Sequence, residues 1–137
     1  QLQNMVKTKF EWIDEEKRIL HYASCDLCVI PSLYEPFGIV PLEAMSMGKP
    51  VVVGARGVSG MRDTVMHMGP SQCGYHVNGD DPEDIAWGAV NVLSDDAHAK
   101  MFGESGRKRI LEYYTWEVAA RNTLRVYEEV LNSHKPR

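Results

Sequence analysis

Hydrophobic residues along this chain fall into short unbroken runs, and the stretches between them have the spacing of helices. Residues 27–30 (Leu-Cys-Val-Ile) and 51–53 (Val-Val-Val) are continuous apolar runs. Continuous rather than alternating apolar character is typical of strands covered on both faces. Residues 74–77 indicate a third short strand, and the weak alternation from Val6 to Trp12 is compatible with one more. The pattern therefore predicts several short, mostly buried strands.

Five segments predict helices from their apolar spacing and their boundary residues. They run from after Asp14 to about Ala23, from Pro41 to Met47, from Pro82 to about Leu93, from about Asp96 to Tyr113, and from Trp116 to about Leu131. Asp14 and Asp81 supply side-chain oxygens at two of the starts, where they cap free N–H groups. Gly48 ends the second helix, while Gly103 and Gly106 weaken the fourth.

The alternation of strands with helices predicts an α/β fold, a doubly wound (Rossmann-like) parallel sheet. Ligands of such folds bind outside the carboxyl ends of the strands. Two loops follow predicted strands there, residues 32–38 and residues 54–60. Both combine glycine with polar side chains, so we expect a ligand site at this edge of the sheet.

Composition narrows the class of protein. With 137 residues, of which 44% are hydrophobic and 25% are charged, the chain suits one globular domain. A net charge of −4 gives no basic surface for nucleic acid or an anionic membrane, so neither is expected as a partner. No apolar run has the length of a transmembrane segment. Three cysteines, an odd number, argue for a reducing compartment, and we expect the cytoplasm.

Two carboxylates mark the segment that carries the most chemistry. Glu35 falls in the loop after a strand, and Glu43 falls eight positions later in the first turns of the next helix. Between them, Gly38 permits a backbone that lets N–H groups approach a ligand closely. The start of the helix adds free N–H groups and the positive end of its dipole, which suit a diphosphate. By spacing alone such a pair of glutamates is more often solvated surface than a site.

The flanking residues make the segment specific. Residues 31–32 (Pro-Ser), 35–38 (Glu-Pro-Phe-Gly), 42–45 (Leu-Glu-Ala-Met) and 48–52 (Gly-Lys-Pro-Val-Val) look like the E-x7-E signature of retaining GT-B glycosyltransferases, which include glycogen and starch synthases. The resemblance extends from about Phe10 to about Leu131. It implies that residues 1–137 are part of the C-terminal, Rossmann-like donor-binding domain of such an enzyme, and that the N-terminal acceptor domain is absent from this chain.

The resemblance also implies a role for each residue of the segment. Glu35 contacts hydroxyls of the transferred sugar and is the expected catalytic residue. Glu43 holds the ribose hydroxyls of a nucleotide-sugar donor. The donor-binding residues between them and in the second loop are Phe37, Gly38, Ile39, Val40 and Gly60. The resemblance implies no metal and no cofactor, only a nucleotide-sugar as donor and a saccharide or other hydroxyl as acceptor.

Two departures from the family pattern limit what this chain is expected to do. Ser59 stands where the family has the first glycine of a pair. The arginine and lysine that bind phosphate in the family lie on an earlier segment that this chain lacks, so we expect the chain alone to be inactive. An unpaired edge at residues 27–30 favours self-association.

Other interpretations remain open beside the glycosyltransferase. Cys25 and Cys28 form a C-x-x-C motif, which a metal or redox site would use, but core cysteines explain it better. Residues 10–12 (Phe-Glu-Trp) resemble the loop beside the nucleobase, and core packing explains them equally well. The chain could also be a non-catalytic nucleotide- or sugar-binding module that needs a partner chain. Epimerases and phosphorylases of similar fold lack the residue context around the two glutamates.

Overall fold

Residues 5–133 are described by a computed structural model, and within this range the chain forms three strands and six helices. The strands are β1 (Cys28–Ile30), β2 (Val51–Gly54) and β3 (Gly74–Val77). The helices are α1 (Glu15–Ser24), α2 (Ile39–Ser46), α3 (Met61–Thr64), α4 (Pro82–Leu93), α5 (Asp96–Tyr113) and α6 (Trp116–Ser133). The predicted three apolar strands and the predicted helices are confirmed, with one shifted helix start and one additional short helix described below.

The three strands form one parallel sheet in the order β1-β2-β3. Val52 in the central strand lies beside Val29 of β1 and Tyr75 of β3. Every residue of β2 is buried, as its unbroken apolar run predicts. Within residues 5–133, β1 pairs on one side only, so it is the predicted unpaired edge, and Val29 remains 38% exposed.

Apolar side chains pack on both faces of the sheet, which confirms the doubly wound α/β fold. Val51 and Val53 belong to one core cluster together with Ala44 and Met45 of α2. Val52 points the other way, into a second cluster that contains side chains of α4 and α5. Alternate residues of one strand thus contact helices on the two faces of the sheet, and α5 contributes to both clusters through Phe102 and Ile110.

Two glycines of α5 lie where that helix crosses the end of α2. A Cβ atom added to Gly103 would lie 2.0 Å from the carbonyl oxygen of Gly48, and one added to Gly106 would lie 3.0 Å from Cγ of Met45. The sequence interpretation treated both glycines as weak points of the helix. In the structure α5 is continuous, and the missing side chains allow the two helices to approach each other.

Two predictions about secondary structure were wrong. Residues 6–12 form no strand, and the side chains of Phe10 and Trp12 are 97% and 92% exposed, because no neighbouring strand within residues 5–133 pairs with them. The second helix begins at Ile39 rather than Pro41. Pro41 is therefore the third helical residue, where a missing N–H breaks no intrahelical hydrogen bond.

The short helix α3 follows the second glycine-rich loop and has no counterpart in the sequence prediction. Its four residues are too few for a helical repeat to appear in the hydrophobic pattern. Met61 and Thr64 are buried, and Met61 packs in the same core cluster as α2. Tertiary packing rather than local propensity therefore explains the helix.

Candidate functional site

The two loops expected to form the site lie side by side at the carboxyl ends of β1 and β2. The N–H of Glu35 donates to the carbonyl of Val58 at 3.3 Å, and the N–H of Gly60 donates to the carbonyl of Glu35 at 2.8 Å. A Cβ atom on Gly60 would lie 2.2 Å from the carbonyl oxygen of Pro36. Only glycine fits at position 60, because the two backbones are this close.

The second loop is held in shape by its own side chains. The buried hydroxyl of Ser59 donates to the carbonyl of Gly54 at 2.9 Å. The guanidinium of Arg62 donates to the carbonyls of Gly57, at 2.6 Å, and Ala55. Ser59, which departs from the family pattern, thus joins the two ends of the loop by a hydrogen bond. Arg62 stabilises the same loop through its hydrogen bonds, a role that the sequence did not predict.

The carboxylate of Glu35 lies against the start of α2. Its Oε1 accepts the N–H of Gly38 at 3.1 Å and that of Phe37 at 3.4 Å. Gly38 precedes the helix with a φ of +89°, and a Cβ atom there would lie 2.6 Å from Cγ of Met61. The left-handed conformation turns these N–H groups outward, so that they bind an anion, here the side chain of Glu35.

Glu43 lies one turn into α2 and is half-buried against α1. Its Oε2 accepts the hydroxyl of Tyr22 at 3.0 Å, and its Oε1 lies 3.4 Å from Nη2 of Arg18. Burial raises the pKa of Tyr22 to about 12, with the hydrogen bond to Glu43 adding to the effect, so the phenol keeps its proton. Neither Tyr22 nor Arg18 was identified from the sequence, because helical spacing on α1 says nothing of what lies opposite.

Three of the predicted donor-binding residues are apolar and exposed. Phe37, Ile39 and Val40 are 50%, 64% and 43% exposed. Ile39 and Val40 lie four and three positions before Glu43 and therefore share its face of α2, while Ala44 of the same helix is buried. Ile39, Val40 and Glu43 thus lie together on the face of α2 that is turned away from the core, whereas Gly38 before them is buried.

Of the three nearby cations, Arg56 lies in the second loop itself and is exposed, while the other two lie elsewhere or are already engaged. Lys49 comes just before β2, at the amino end of the sheet, and Arg62 binds loop carbonyls. Within residues 5–133 no cluster of three or more metal-binding side chains occurs.

Desolvation by burial raises the pKa of Cys28 to about 11, so its thiol stays protonated at neutral pH, as expected of a core cysteine.

Comparison with known proteins places the chain in a family. Residues 1–109 match the family model for glycosyl transferases group 1. An uncharacterized glycosyltransferase of Methanocaldococcus jannaschii is 42% identical over 107 residues, which are 78% of this chain and 26% of that protein. An MMP α-(1→4)-mannosyltransferase of Mycolicibacterium hassiacum is 30% identical over 131 residues, which are 95% of this chain and 30% of that protein. The chain therefore belongs to the glycosyl transferases group 1 family.

A solved structure gives the same result for the fold. The sucrose-phosphate synthase of Thermosynechococcus elongatus superposes on 92% of this chain with a TM-score of 0.78 and 34% sequence identity. This chain covers 30% of that one. The match confirms the Rossmann-like α/β arrangement. The chain thus spans between a quarter and a third of the length of the proteins it resembles.

None of the helices within residues 5–133 combines the length and the apolar character needed to cross a lipid bilayer.

Proposed function

We propose that this chain supplies the donor site of a retaining hexosyltransferase, which moves a sugar from a nucleotide-sugar to a hydroxyl acceptor. One observation carries the proposal. The backbone N–H groups at the start of α2 bind a carboxylate oxygen beside an exposed apolar surface, and a second carboxylate lies one turn further along the helix. In a nucleotide-sugar the diphosphate lies between the transferred sugar and the ribose. Its charge would meet the N–H groups, while the hydroxyls of the two sugars would reach the two carboxylates.

Each part of the donor has a proposed contact. The diphosphate takes the N–H groups of residues 37–40, which include those that Glu35 occupies. Displaced from them, the Glu35 carboxylate accepts hydroxyls of the transferred sugar. The exposed side chains of Ile39 and Val40 cover the apolar side of the donor. Glu43 accepts the ribose hydroxyls. No metal or cofactor takes part in this proposal.

The proposed reaction retains the anomeric configuration by front-side attack. The acceptor oxygen bonds to the anomeric carbon as the bond from that carbon to the diphosphate oxygen breaks. The proton of the acceptor hydroxyl passes to the leaving phosphate. Catalysis in this scheme is mostly placement of donor and acceptor, with charge stabilisation of the leaving diphosphate by oriented N–H groups.

A second candidate function follows from the extent of the chain. It covers between 26% and 30% of the three proteins compared above, and the guanidinium of Arg62 beside the loops is already bound to carbonyls. On its own the 137-residue chain would then act as a nucleotide- or sugar-binding module without transfer activity. Its three free cysteines fit a reducing compartment, and we propose a cytoplasmic location.

The test is to titrate the full-length protein with UDP-, ADP- and GDP-sugars and to measure sugar transfer with the donor that binds. Glu35→Ala should abolish transfer and leave nucleotide binding largely intact. Glu43→Ala should weaken nucleotide binding. Glu128→Ala, at an exposed position of α6, is the matched control and should change neither. If Glu35→Ala and Glu43→Ala both behave like the control, the proposed site is wrong.

A further inference from the structure

Glu43 is held by donors from a different helix. Arg18 and Tyr22 lie four positions apart on α1 and therefore on one face of that helix. No residue of α1 is fully buried, yet the half-buried hydroxyl of Tyr22 reaches Oε2 of Glu43 at 3.0 Å. Nη2 of Arg18 reaches the other oxygen at 3.4 Å. One carboxylate oxygen thus accepts a hydrogen bond, and the other lies in an ion pair.

This arrangement differs from the other ion pairs within residues 5–133. Lys9–Glu11 and Asp14–Lys17 join residues two and three positions apart, Lys100–Glu104 and Arg125–Glu129 join neighbouring turns of one helix, and all of these side chains are 55% or more exposed. Such pairs contribute little to structure. The Glu43 side chain is only 29% exposed, and both of its contacts come from a different helix.

Acceptor positions remain on the carboxylate. An ionised carboxylate offers about four lone-pair sites on its two oxygens. Tyr22 uses one of them, and Arg18 lies beside the other oxygen as an ion pair. The remaining sites can accept a pair of adjacent hydroxyls. Arg18, Tyr22 and Glu43 also line one groove of about 240 Å³ between α1 and α2, so the carboxylate faces a space that a ligand can enter.

We propose that Tyr22 and Arg18 are positioning residues, which hold the Glu43 carboxylate in the orientation that accepts the two ribose hydroxyls of a nucleotide donor. This inference rests on the proposed function, in which Glu43 binds the ribose. It adds that selection of a ribose over a deoxyribose depends on α1, a helix outside the E-x7-E segment. Tyr22 and Arg18 need not touch the donor.

The experiment compares the affinity of the full-length protein for two probes. One is UDP, ADP or GDP, whichever the wild-type protein binds most tightly, and the other is the 2′,3′-dideoxy form of the same nucleotide. Tyr22→Phe removes only the hydroxyl and keeps the ring. Its matched control is Tyr127→Phe on the exposed face of α6. Arg18→Gln is the second variant, and Arg125→Gln is its control.

Tyr22→Phe should weaken binding of the ribonucleotide about three- to tenfold, because one hydrogen bond to a charged group is lost. Binding of the dideoxynucleotide should be unchanged. Arg18→Gln should also weaken binding of the ribonucleotide and leave binding of the dideoxynucleotide unchanged. Its effect should be smaller, about two- to threefold, and should decrease at high salt. In transfer assays Tyr22→Phe should raise KM for the donor and leave kcat within about twofold. Both controls should match the wild type.

Glu43→Gln separates this inference from the proposed function. In a protein that carries Glu43→Gln, the further change Tyr22→Phe should cause no additional loss of ribonucleotide affinity, since both substitutions act on one carboxylate. If Glu43→Gln removes the preference for ribose but Tyr22→Phe and Arg18→Gln do not reduce it, the positioning role is wrong and the proposed function stands. If Glu43→Gln keeps the preference, the ribose role of Glu43 is wrong, and the inference fails with it. If Tyr22→Phe weakens binding of both nucleotides equally, Tyr22 has only a structural role, and the positioning role is wrong.

Discussion

The close approach of the two site loops makes Gly60→Ala the most informative substitution for stability. Gly60 has a φ of −69°, which alanine adopts without strain. Where space allows, such a replacement stabilises a protein by about 0.4–1 kcal/mol. Here the new Cβ would lie 2.2 Å from the carbonyl oxygen of Pro36 and 2.9 Å from Cα of Phe37. Both are backbone atoms that no side-chain rotation can move.

The loops must separate by close to an ångström to relieve this contact, and the hydrogen bond from Gly60 to the carbonyl of Glu35 would be lost. Overpacking of this kind costs about 1–3 kcal/mol. After the gain from reduced chain entropy we expect a net loss of about 1–2 kcal/mol in the free energy of unfolding. Because Glu35 moves with its loop, nucleotide-sugar binding should weaken as well.

Urea denaturation of the 137-residue chain measures the first effect, and titration of the full-length protein with its donor measures the second. Gly69→Ala is the matched control. Its φ is +81° and no atom lies within 4 Å of the new Cβ, so backbone strain alone costs about 1–2 kcal/mol. It should lose similar stability and keep normal donor binding. A Gly60→Ala protein with the stability and donor affinity of the wild type would refute the reasoning.

Three further predictions test the packing and the buried titratable groups. Gly103→Ala should lower the free energy of unfolding by about 1–3 kcal/mol in urea denaturation, because its Cβ meets a backbone oxygen at 2.0 Å. Gly106→Ala, which meets a side chain at 3.0 Å, should be far milder, and equal losses would contradict this account. Cys28 should react slowly with iodoacetamide at pH 8 and faster towards pH 11, because burial raises its pKa to about 11; rapid labelling at pH 8 would argue against burial. Burial lowers the pKa of His76 below its usual 6.5, so the unfolded chain binds the proton more readily. Stability should therefore be full above pH 6.5 and decrease as the pH falls below it, and His76→Gln should flatten that slope in denaturation curves.

The strands and most helix ends could be predicted because their signals are local. The apolar run of β2 matches a strand that is buried on both faces, and Asp81 caps α4 with its side chain as expected. The strand predicted at residues 6–12 does not form, because alternation gives a strand only when a partner strand exists. The early start of α2 follows the left-handed Gly38, where Met61 leaves no room for a Cβ atom. Such contacts between distant residues cannot be read from spacing.

The meeting of the two loops was predictable, whereas the contacts that support them were not. The loops after β1 and β2 meet because parallel strands end at the same edge of the sheet. Arg62 and Tyr22 were missed because each acts through a contact that only the folded chain creates. The sequence also did not predict that the carboxylate of Glu35 would bind the N–H of Gly38, three residues away.

We propose above that the segment from Glu35 to Glu43 binds a nucleotide-sugar donor. A crystal structure of the full-length protein, soaked with the nucleoside diphosphate that it binds most tightly, would show the donor site itself. We expect the diphosphate within hydrogen-bonding distance of the N–H groups of residues 37–40, the ribose hydroxyls on Glu43, and the Glu35 carboxylate displaced from Gly38. A nucleotide bound elsewhere, with Glu35 still on the N–H of Gly38, would contradict it.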